Sequence, residues 1–386
     1  MKKSPKLVRI TTVPISLDKL LHNQLRFMQQ YFDVTAISSD ETELKQVALT
    51  QGVAYKTIAM TRKITPLQDF ISLIRMFVFL KKLKPEIVHT HTPKAGIIGM
   101  LASKMAGVPH RLHTVAGLPL METKGTKRLI LNFVEKLTYR CATQVYPNSN
   151  GLQTFILDQK LAPKNKCKVI GQGSSNGIDI DFFDPQRVSD HQKNALLAQH
   201  KILPHDFVFI FVGRLVADKG INELVAAFTQ VAKINSNCKL LLVGPFESDL
   251  DPLSVSTLSQ IQTHPAIIHA GYQNDVRPYF AISHCLVFPS YREGFPNVVM
   301  QAGAMQLPVI ATNINGCNEI ITQHVNGLLI AVKNVAAIAE SMQQMLDKKR
   351  YEILRVNSRK MIVKRYEQKY IWGQILTEYN ELLKHV

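Results

Sequence analysis

The stretch SYREGFPNVVMQAGAMQLPVIATNINGCNEII, Ser290 to Ile321, decides how this chain folds. It reads as a short loop opening into a helix, then a buried strand, then a second polar loop. Glu293, Gly294, Phe295, Pro296 and Asn297 form the first loop, and Val298 to Met305 continue with helical spacing. Backbone N–H groups at such a helix start are unpaired and lie at the positive end of the helix dipole, which suits an anion. Gly294 lets the backbone approach a ligand closely, and Pro296 suits a first helical turn. On these residues alone two readings stand: an anion-binding loop, or an ordinary loop–helix junction of an α/β domain.

The same alternation extends over the rest of the chain. In the first half VRITTV, FDVTAIS, GVAYKTIA, EIVHTH, HRLHTV, QVYPNS and KVIG read as short strands. Helical stretches lie between them, among them Leu17 to Gln30, Pro66 to Leu83 and Lys127 to Cys141. In the second half DFVFIFVG, KLLLVG, AIIHAG, CLVFPS, LPVIAT and GLLI repeat the pattern. Strands alternating with helices argue for parallel sheets covered on both faces. A chain of 386 residues suggests two domains, and a hydrophobic content of 46% supplies two cores. Proline-bearing sequence between Gly171 and Pro185 marks the change of domain. Ligands in such sheets sit beyond the carboxyl ends of the strands.

Four segments then carry a specific likeness. The opening stretch resembles the donor-sugar loop of the family 4 retaining glycosyltransferases of the GT-B fold. FVGRLVADKGI (Phe211 to Ile221) resembles that family's diphosphate-binding segment. IVHTHTPKAGIIG (Ile87 to Gly99) resembles its strand–loop–helix of the N-terminal domain, and SNGIDIDFF (Ser175 to Phe183) its interdomain segment. The four fall in the family's order over nearly the whole chain, and the nearest subgroup is the capsule and O-antigen sugar transferases of bacteria. The resemblance implies two Rossmann-like parallel-sheet domains facing a cleft. Residues 1–171 would bind the acceptor, residues 172–364 the nucleotide-sugar, and residues 365–386 would form a terminal helix crossing back to the N-terminal domain.

The resemblance also implies roles for single residues. Arg214 and Lys219 match the pair that contacts the donor diphosphate, where two cations offset the charge growing on the departing phosphate. Glu293 matches the carboxylate that holds donor-sugar hydroxyls. Gly213, Tyr272, Gly294, Phe295, Pro296 and Asn297 fall with the donor-binding residues. Eight positions after Glu293 the family has a second Glu, which grips the ribose; here it is Gln301, an amide that still accepts and donates hydrogen bonds but carries no charge. Many relatives have a His where this chain has Ala116, which leaves the donor sugar open. His113, three residues earlier, is read as structural. Retaining transfer in the family is described as front-face attack, the leaving phosphate taking the acceptor's proton, and no second carboxylate is placed for a glycosidase-type displacement.

No metal or other cofactor is expected. Asp179-Ile180-Asp181 spells a DxD motif but belongs to the interdomain segment, and His89 and His91 are expected to diverge rather than share a metal. On the acceptor side TTVPISLDKL (Thr11 to Leu20) stands where relatives have a Gly-rich loop. Thr12 and Ser16 are candidates for acceptor binding, Ser16 alternatively as the cap of a helix starting at Leu17. His91 and Lys94 join them, Lys94 at another helix start. Lys124, Lys127 and Arg128 are placed in a mobile loop near the membrane. The helix within Ile64 to Pro85 is apolar enough to lie on a bilayer, but core packing against its own sheet is the favoured reading.

Charge is unevenly distributed. Residues 1–171 carry 26 Lys and Arg against 10 Asp and Glu, residues 172–347 carry 10 against 15, and residues 348–386 carry 10 against 4. A returning C-terminal helix would bring both basic regions together, suiting a lipid-diphosphate acceptor on an anionic membrane surface at about 1 kcal/mol for each surface cation. Nucleic acid would suit such a face too, but stacking motifs and DNA-binding modules are missing. The five cysteines form no CxxC pair, which supports neither a zinc site nor a disulfide framework and fits a reducing cytoplasm. Neither a signal peptide nor an apolar run of spanning length is read, so the chain is expected on the inner face of the plasma membrane as a peripheral protein. Three function classes follow: a transferase using a nucleotide-sugar and a polyprenyl-diphosphate-linked saccharide, a nucleotide-sugar 2-epimerase on the same fold, and a non-catalytic basic binding protein.

Overall fold

The computed structural model describes residues 4–121, 123, 125–247, 249 and 251–384. The chain divides into two compact units, residues 1–177 with 368–386, and residues 178–367.

The first unit is built on a six-stranded parallel sheet of order β3-β2-β1-β4-β5-β6. Its strands are β1 (Lys6–Ile10), β2 (Asp33–Ser38), β3 (Ala54–Thr57), β4 (Ile87–Thr90), β5 (His110–Val115) and β6 (Gln144–Pro147). Leu7 of β1 pairs with Val34 of β2 and Ile87 of β4, which makes β1 and β4 the centre of the sheet. Every residue of β4 is buried, as expected where helices cover both faces. Right-handed crossovers put the helices before β2 and β3 on one face and those before β4, β5 and β6 on the other. Two separate cores result. Leu17, Leu25 and Leu44 pack on the first face, and Met76, Leu80, Ile98 and Tyr139 on the second. The helix Gln368–Leu383 adds Ile371, Ile375 and Tyr379 to the first of these cores.

Several local expectations are corrected here. The helix expected over Leu17 to Gln30 is two, Pro14–Leu20 and Gln24–Met28, because Asn23 takes a left-handed φ of 60° between them. Val13 is the cap of the first, so Ser16 lies inside a helix and caps nothing. KVIG is not a strand. An isolated bridge from Cys167 to Val145 stands in its place, and Gly171 at φ 58° turns the chain. Lys127 and Arg128 lie in the helix Gly125–Cys141 rather than in a loop, and Lys124 is outside the described residues.

The helix Pro66–Leu83 forms as read, but its packing differs from expectation. Ser72, Met76 and Leu80 are buried, whereas Leu67, Phe70, Ile71, Ile74 and Val78 are exposed. The charge expectation also changes. The basic run 348–366 is the helix Lys348–Tyr366 of the second unit, and the returning helix carries Lys369 against Glu378 and Glu381. The first unit is nonetheless strongly basic, with 28 Lys and Arg against 12 Asp and Glu, while the second has 18 against 17.

The second unit repeats the architecture in the order β12-β11-β10-β7-β8-β9. Its strands are β7 (Phe207–Val212), β8 (Cys238–Val243), β9 (Ile267–Gly271), β10 (Cys285–Phe288), β11 (Val309–Thr312) and β12 (Gly327–Ile330). One continuous core runs through it, from Phe209 and Phe211 of β7 to Val299 and Met300 of the helix Asn297–Ala304.

Candidate active site

In the second unit β7 lies between β8 and β10, so the order of strands reverses at the β7–β10 pair. Loops leaving such a pair run apart and open a crevice beyond the strand ends. Lys219 comes from the loop after β7 and Glu293 from the loop after β10. Their side chains meet as an ion pair of 2.6 Å and are about one-sixth exposed, at 16% and 17%.

Two glycines permit this approach. Gly220 has φ 71°, and a Cβ there would stand 2.2 Å from the carbonyl oxygen of Pro289. Gly316 has φ 77°, and a Cβ there would stand 2.5 Å from the carbonyl oxygen of Gly294. Either contact would displace backbone of the Glu293 loop, at a conformation that L side chains rarely adopt. Asn315 completes the clamp, its Nδ2 donating to the carbonyls of Glu293 (3.2 Å) and Gly294 (2.6 Å). Behind Lys219, the Tyr291 N–H donates to the Asp218 carbonyl at 2.9 Å, and Arg292 pairs with the Asp218 carboxylate at 2.9 Å. The Tyr291 hydroxyl donates to Glu223 Oε1 at 2.7 Å, and burial together with that carboxylate pushes its pKa up.

The remaining donor-side residues are placed as follows. Arg214 is exposed and pairs with Glu247 Oε2 at 2.7 Å, so the two cations of the expected pair take different partners. The Gly213 N–H donates to the Val243 carbonyl at 2.9 Å at the end of β7. Tyr272, just past β9, is two-thirds exposed. Phe295 and Pro296 are buried, Phe295 against the edge of Tyr366 with ring centroids 5.4 Å apart. Pro296 occupies the cap position of the helix Asn297–Ala304 without a side-chain cap, which leaves its first amides open. Gln301 is half-buried one turn further, and its amide makes no hydrogen bond among the described residues. Glu247 and Asn315 were not singled out from the sequence. The Asn-Gly pair at 315–316 is a turn signal that pointed to the second; nothing in the sequence marked Glu247 as the partner of Arg214.

The first unit has its own reversal between β1 and β4. Thr12 follows β1, and its hydroxyl lies 2.7 Å from that of Thr92 after β4, tying the two loops together. Lys94 pairs with Asp69. His91 is buried, with both ring nitrogens unpartnered. It borders a small cavity of about 20 Å³ with His89, Tyr146, Asn148 and Ser175, where Asn148 Oδ1 and Ser175 Oγ are also unpartnered. That is room for about one water molecule. Burial, then neighbouring His89 and Arg9, hold His91 well below the usual imidazole pKa, so it acts as a neutral ring. His89 and His91 do not diverge as expected. Residues two apart on a strand share a face, and their ring centroids are 4.2 Å apart.

His113 is structural: its Nδ1 lies 2.7 Å from the Thr90 hydroxyl and its ring fills the space beside Gly96. Ala116 offers only its backbone, its carbonyl accepting from Asn148 Nδ2 at 3.0 Å. Asp179 of the DxD motif turns its own loop, Oδ1 accepting from the N–H groups of Asp181 (3.1 Å) and Phe182 (2.9 Å). Among the described residues no three His, Cys, Asp or Glu side chains are grouped so as to hold a metal ion. None of the described helices is long and apolar enough to cross a membrane.

Comparison with known proteins adds to this geometry. Residues 192–366 match the family described as glycosyl transferases group 1, and residues 19–149 that described as glycosyl transferase 4-like. The chain is 34% identical over 384 residues to the capsular polysaccharide biosynthesis glycosyltransferase CapM of Staphylococcus aureus, covering 99% of this chain and 98% of that one. It is 27% identical over 362 residues to the UDP-Gal:alpha-D-GlcNAc-diphosphoundecaprenol alpha-1,3-galactosyltransferase of Escherichia coli, covering 93% and 90%. Among solved structures, Anabaena Alr3699/HepE in complex with UDP and glucose superposes with a TM-score of 0.82 at 18% identity, over 98% of this chain and 100% of that one.

Proposed function

The chain belongs to the glycosyl transferases group 1 family with its GT-B fold, and from that premise we propose that it moves a sugar, with retention, from a UDP-linked donor to a lipid-diphosphate-linked saccharide during capsule, O-antigen or related surface-glycan synthesis. The observation that carries the reading is the meeting of Lys219 and Glu293 at the strand-order reversal of the second unit. A cation and a carboxylate at one crevice suit a donor that presents a diphosphate and a sugar to the same place. The likeness to a galactosyltransferase whose name pairs UDP-Gal with a diphosphoundecaprenol acceptor supports the substrate classes.

In this mechanism the bond from the sugar's anomeric carbon to the diphosphate breaks while a bond to the acceptor oxygen forms on the same face. The acceptor hydroxyl's proton passes to the departing phosphate oxygen. Lys219 and Arg214 offset the charge that grows on that phosphate. Glu293 holds hydroxyls of the donor sugar, and the open amides at the start of the helix Asn297–Ala304 face the same negative charge. The free amide of Gln301 takes the ribose through neutral hydrogen bonds. The two cations serve without a metal. In the first unit, the loops carrying Thr12 and His91 and the helix start at Lys94 receive the acceptor. The protein is peripheral to an anionic membrane surface on the cytoplasmic side.

The test is turnover of a panel of UDP- and GDP-sugars with a synthetic polyprenyl-diphosphate saccharide, alongside Glu293→Ala and Lys219→Ala. Acceptor-dependent nucleotide release that both variants abolish supports the reading and names the donor. Donor conversion without acceptor overturns it in favour of an epimerase.

A further inference from the structure

We propose that the first unit docks on anionic bilayers through the outer side of one helix layer, in which the helices Pro66–Leu83 and Gly125–Cys141 flank the helix Pro93–Met105. On the first helix, Leu67, Phe70, Ile71, Ile74 and Val78 follow at helical spacing and form one exposed stripe, with Leu67 at 76% and Phe70 at 60% exposure. The stripe is roughly 16 Å long. On the second, Leu129, Ile130 and Phe133 are exposed, Phe133 at 67%. The packed sides of both helices are accounted for: Met76 and Leu80 of the first and Tyr139 of the second join the core beneath. A patch of this size is more than scattered surface leucines, and such patches mark interaction sites.

Charge names the occupant. On each helix the apolar turns come first and cations follow along the same face, Lys81 and Lys82 after Val78, and Lys136 and Arg140 after Phe133. The two acids of these helices point elsewhere, Asp69 paired with Lys94 and Glu135 buried. The pattern of apolar side chains rimmed by cations with no exposed acid fits an anionic lipid surface, with rings at the headgroup level and cations on phosphate. A second copy of this basic surface would be repelled from it.

The placement has a purpose. Both helices precede a strand of a parallel sheet, so their amino-terminal ends, where the apolar turns lie, stand at the carboxyl edge of the sheet. Thr12, His91 and Lys94 lie at that same edge. A docked first unit would thus hold its acceptor loops toward the lipid surface from which a lipid-linked acceptor is presented. This purpose rests on the transferase reading; the docking itself does not.

Flotation of the whole protein with vesicles decides the matter. Vesicles of phosphatidylcholine with a third phosphatidylglycerol are expected to carry the protein up, pure phosphatidylcholine vesicles to do so at least tenfold less. Phe70→Ser with Ile74→Ser and Phe133→Ser is expected to abolish flotation without changing thermal stability, since all three side chains are exposed. Lys81→Gln with Lys82→Gln is expected to weaken it roughly thirtyfold, at about 1 kcal/mol for each cation. Val255→Ser, an exposed apolar residue of the second unit, should change nothing. Transfer to a water-soluble acceptor analogue should survive in all these variants, so a failed transferase reading and a failed docking surface give different results. Flotation retained by the triple variant, equal flotation on neutral vesicles, or a concentration-dependent dimer lost in the triple variant would each overturn the proposal.

Discussion

Gly316 and Gln301 make different demands on the donor loop. At Gly316 a methyl group would meet backbone at 2.5 Å, and backbone cannot swing aside as a flexible side chain does. Gly316→Ala is expected to lower stability by about 2 kcal/mol or more and to weaken donor binding, measured by thermal melting and by calorimetric titration with UDP. Gln301→Glu adds a charged acceptor where the amide is unpartnered, and is expected to change UDP affinity several-fold in the same titration. An unchanged affinity would remove the ribose role. At this scale the sequence made Lys219 and Glu293 legible, because spacing and order within whole motifs survive when single residues change. It did not show that Arg214 pairs with Glu247, since nothing local ties two loops 33 residues apart.

Among the elements, the helix Gln368–Leu383 is bound to its sheet by polar groups as well as by its apolar side. The Tyr379 hydroxyl accepts from Arg9 Nη1 at 2.9 Å and lies 2.5 Å from His89 Nδ1, all in the interior. Tyr146 donates to Glu378 Oε1 at 3.0 Å, and Trp372 donates to Asn176 Oδ1 at 2.7 Å. Tyr379→Phe leaves Arg9 Nη1 and His89 Nδ1 without a partner in the interior, and is expected to cost about 1–3 kcal/mol. Denaturant unfolding followed through Trp372, the chain's one tryptophan, reads this directly. The helix Pro66–Leu83 shows where sequence reading stopped. It is apolar nearly all round, with Met76 and Leu80 on one side and Phe70 and Ile74 on the other, so periodicity located the helix but did not choose its packed face. The KVIG segment failed for a related reason: a short apolar run has the composition of a strand, but glycines with positive φ end it as a turn.

Over the whole molecule, buried histidines set the response to acid. His89, His91 and His113 all lie inside the first unit with pKa values lowered by burial first, His113 from 6.5 to about 4. A lowered folded pKa means that the unfolded chain binds more protons between the two values. Stability is therefore complete above about pH 6.5 and is lost as pH falls toward 4, with His113 alone costing about 2 kcal/mol by pH 5. Melting temperature measured from pH 8 to pH 4.5 should fall below pH 6.5, and His113→Asn should flatten part of that fall. Two sheets of parallel strands were legible from the alternation of elements across the chain. The partition of charge between units was not, because the basic C-terminal run ends at Tyr366, before the returning helix begins.

That return has a consequence for how the protein is made. The second unit is one unbroken segment and can fold as soon as residue 367 leaves the ribosome. The first unit is synthesised earlier yet waits longer. Arg9, His89 and Tyr146 are without their final partners until residues 368–383 emerge. For the time it takes to translate the intervening 190 residues, the older half of the nascent chain carries an open apolar face and an interior arginine that has Gln24 but not yet Tyr379. It is the half that chaperones have most reason to hold.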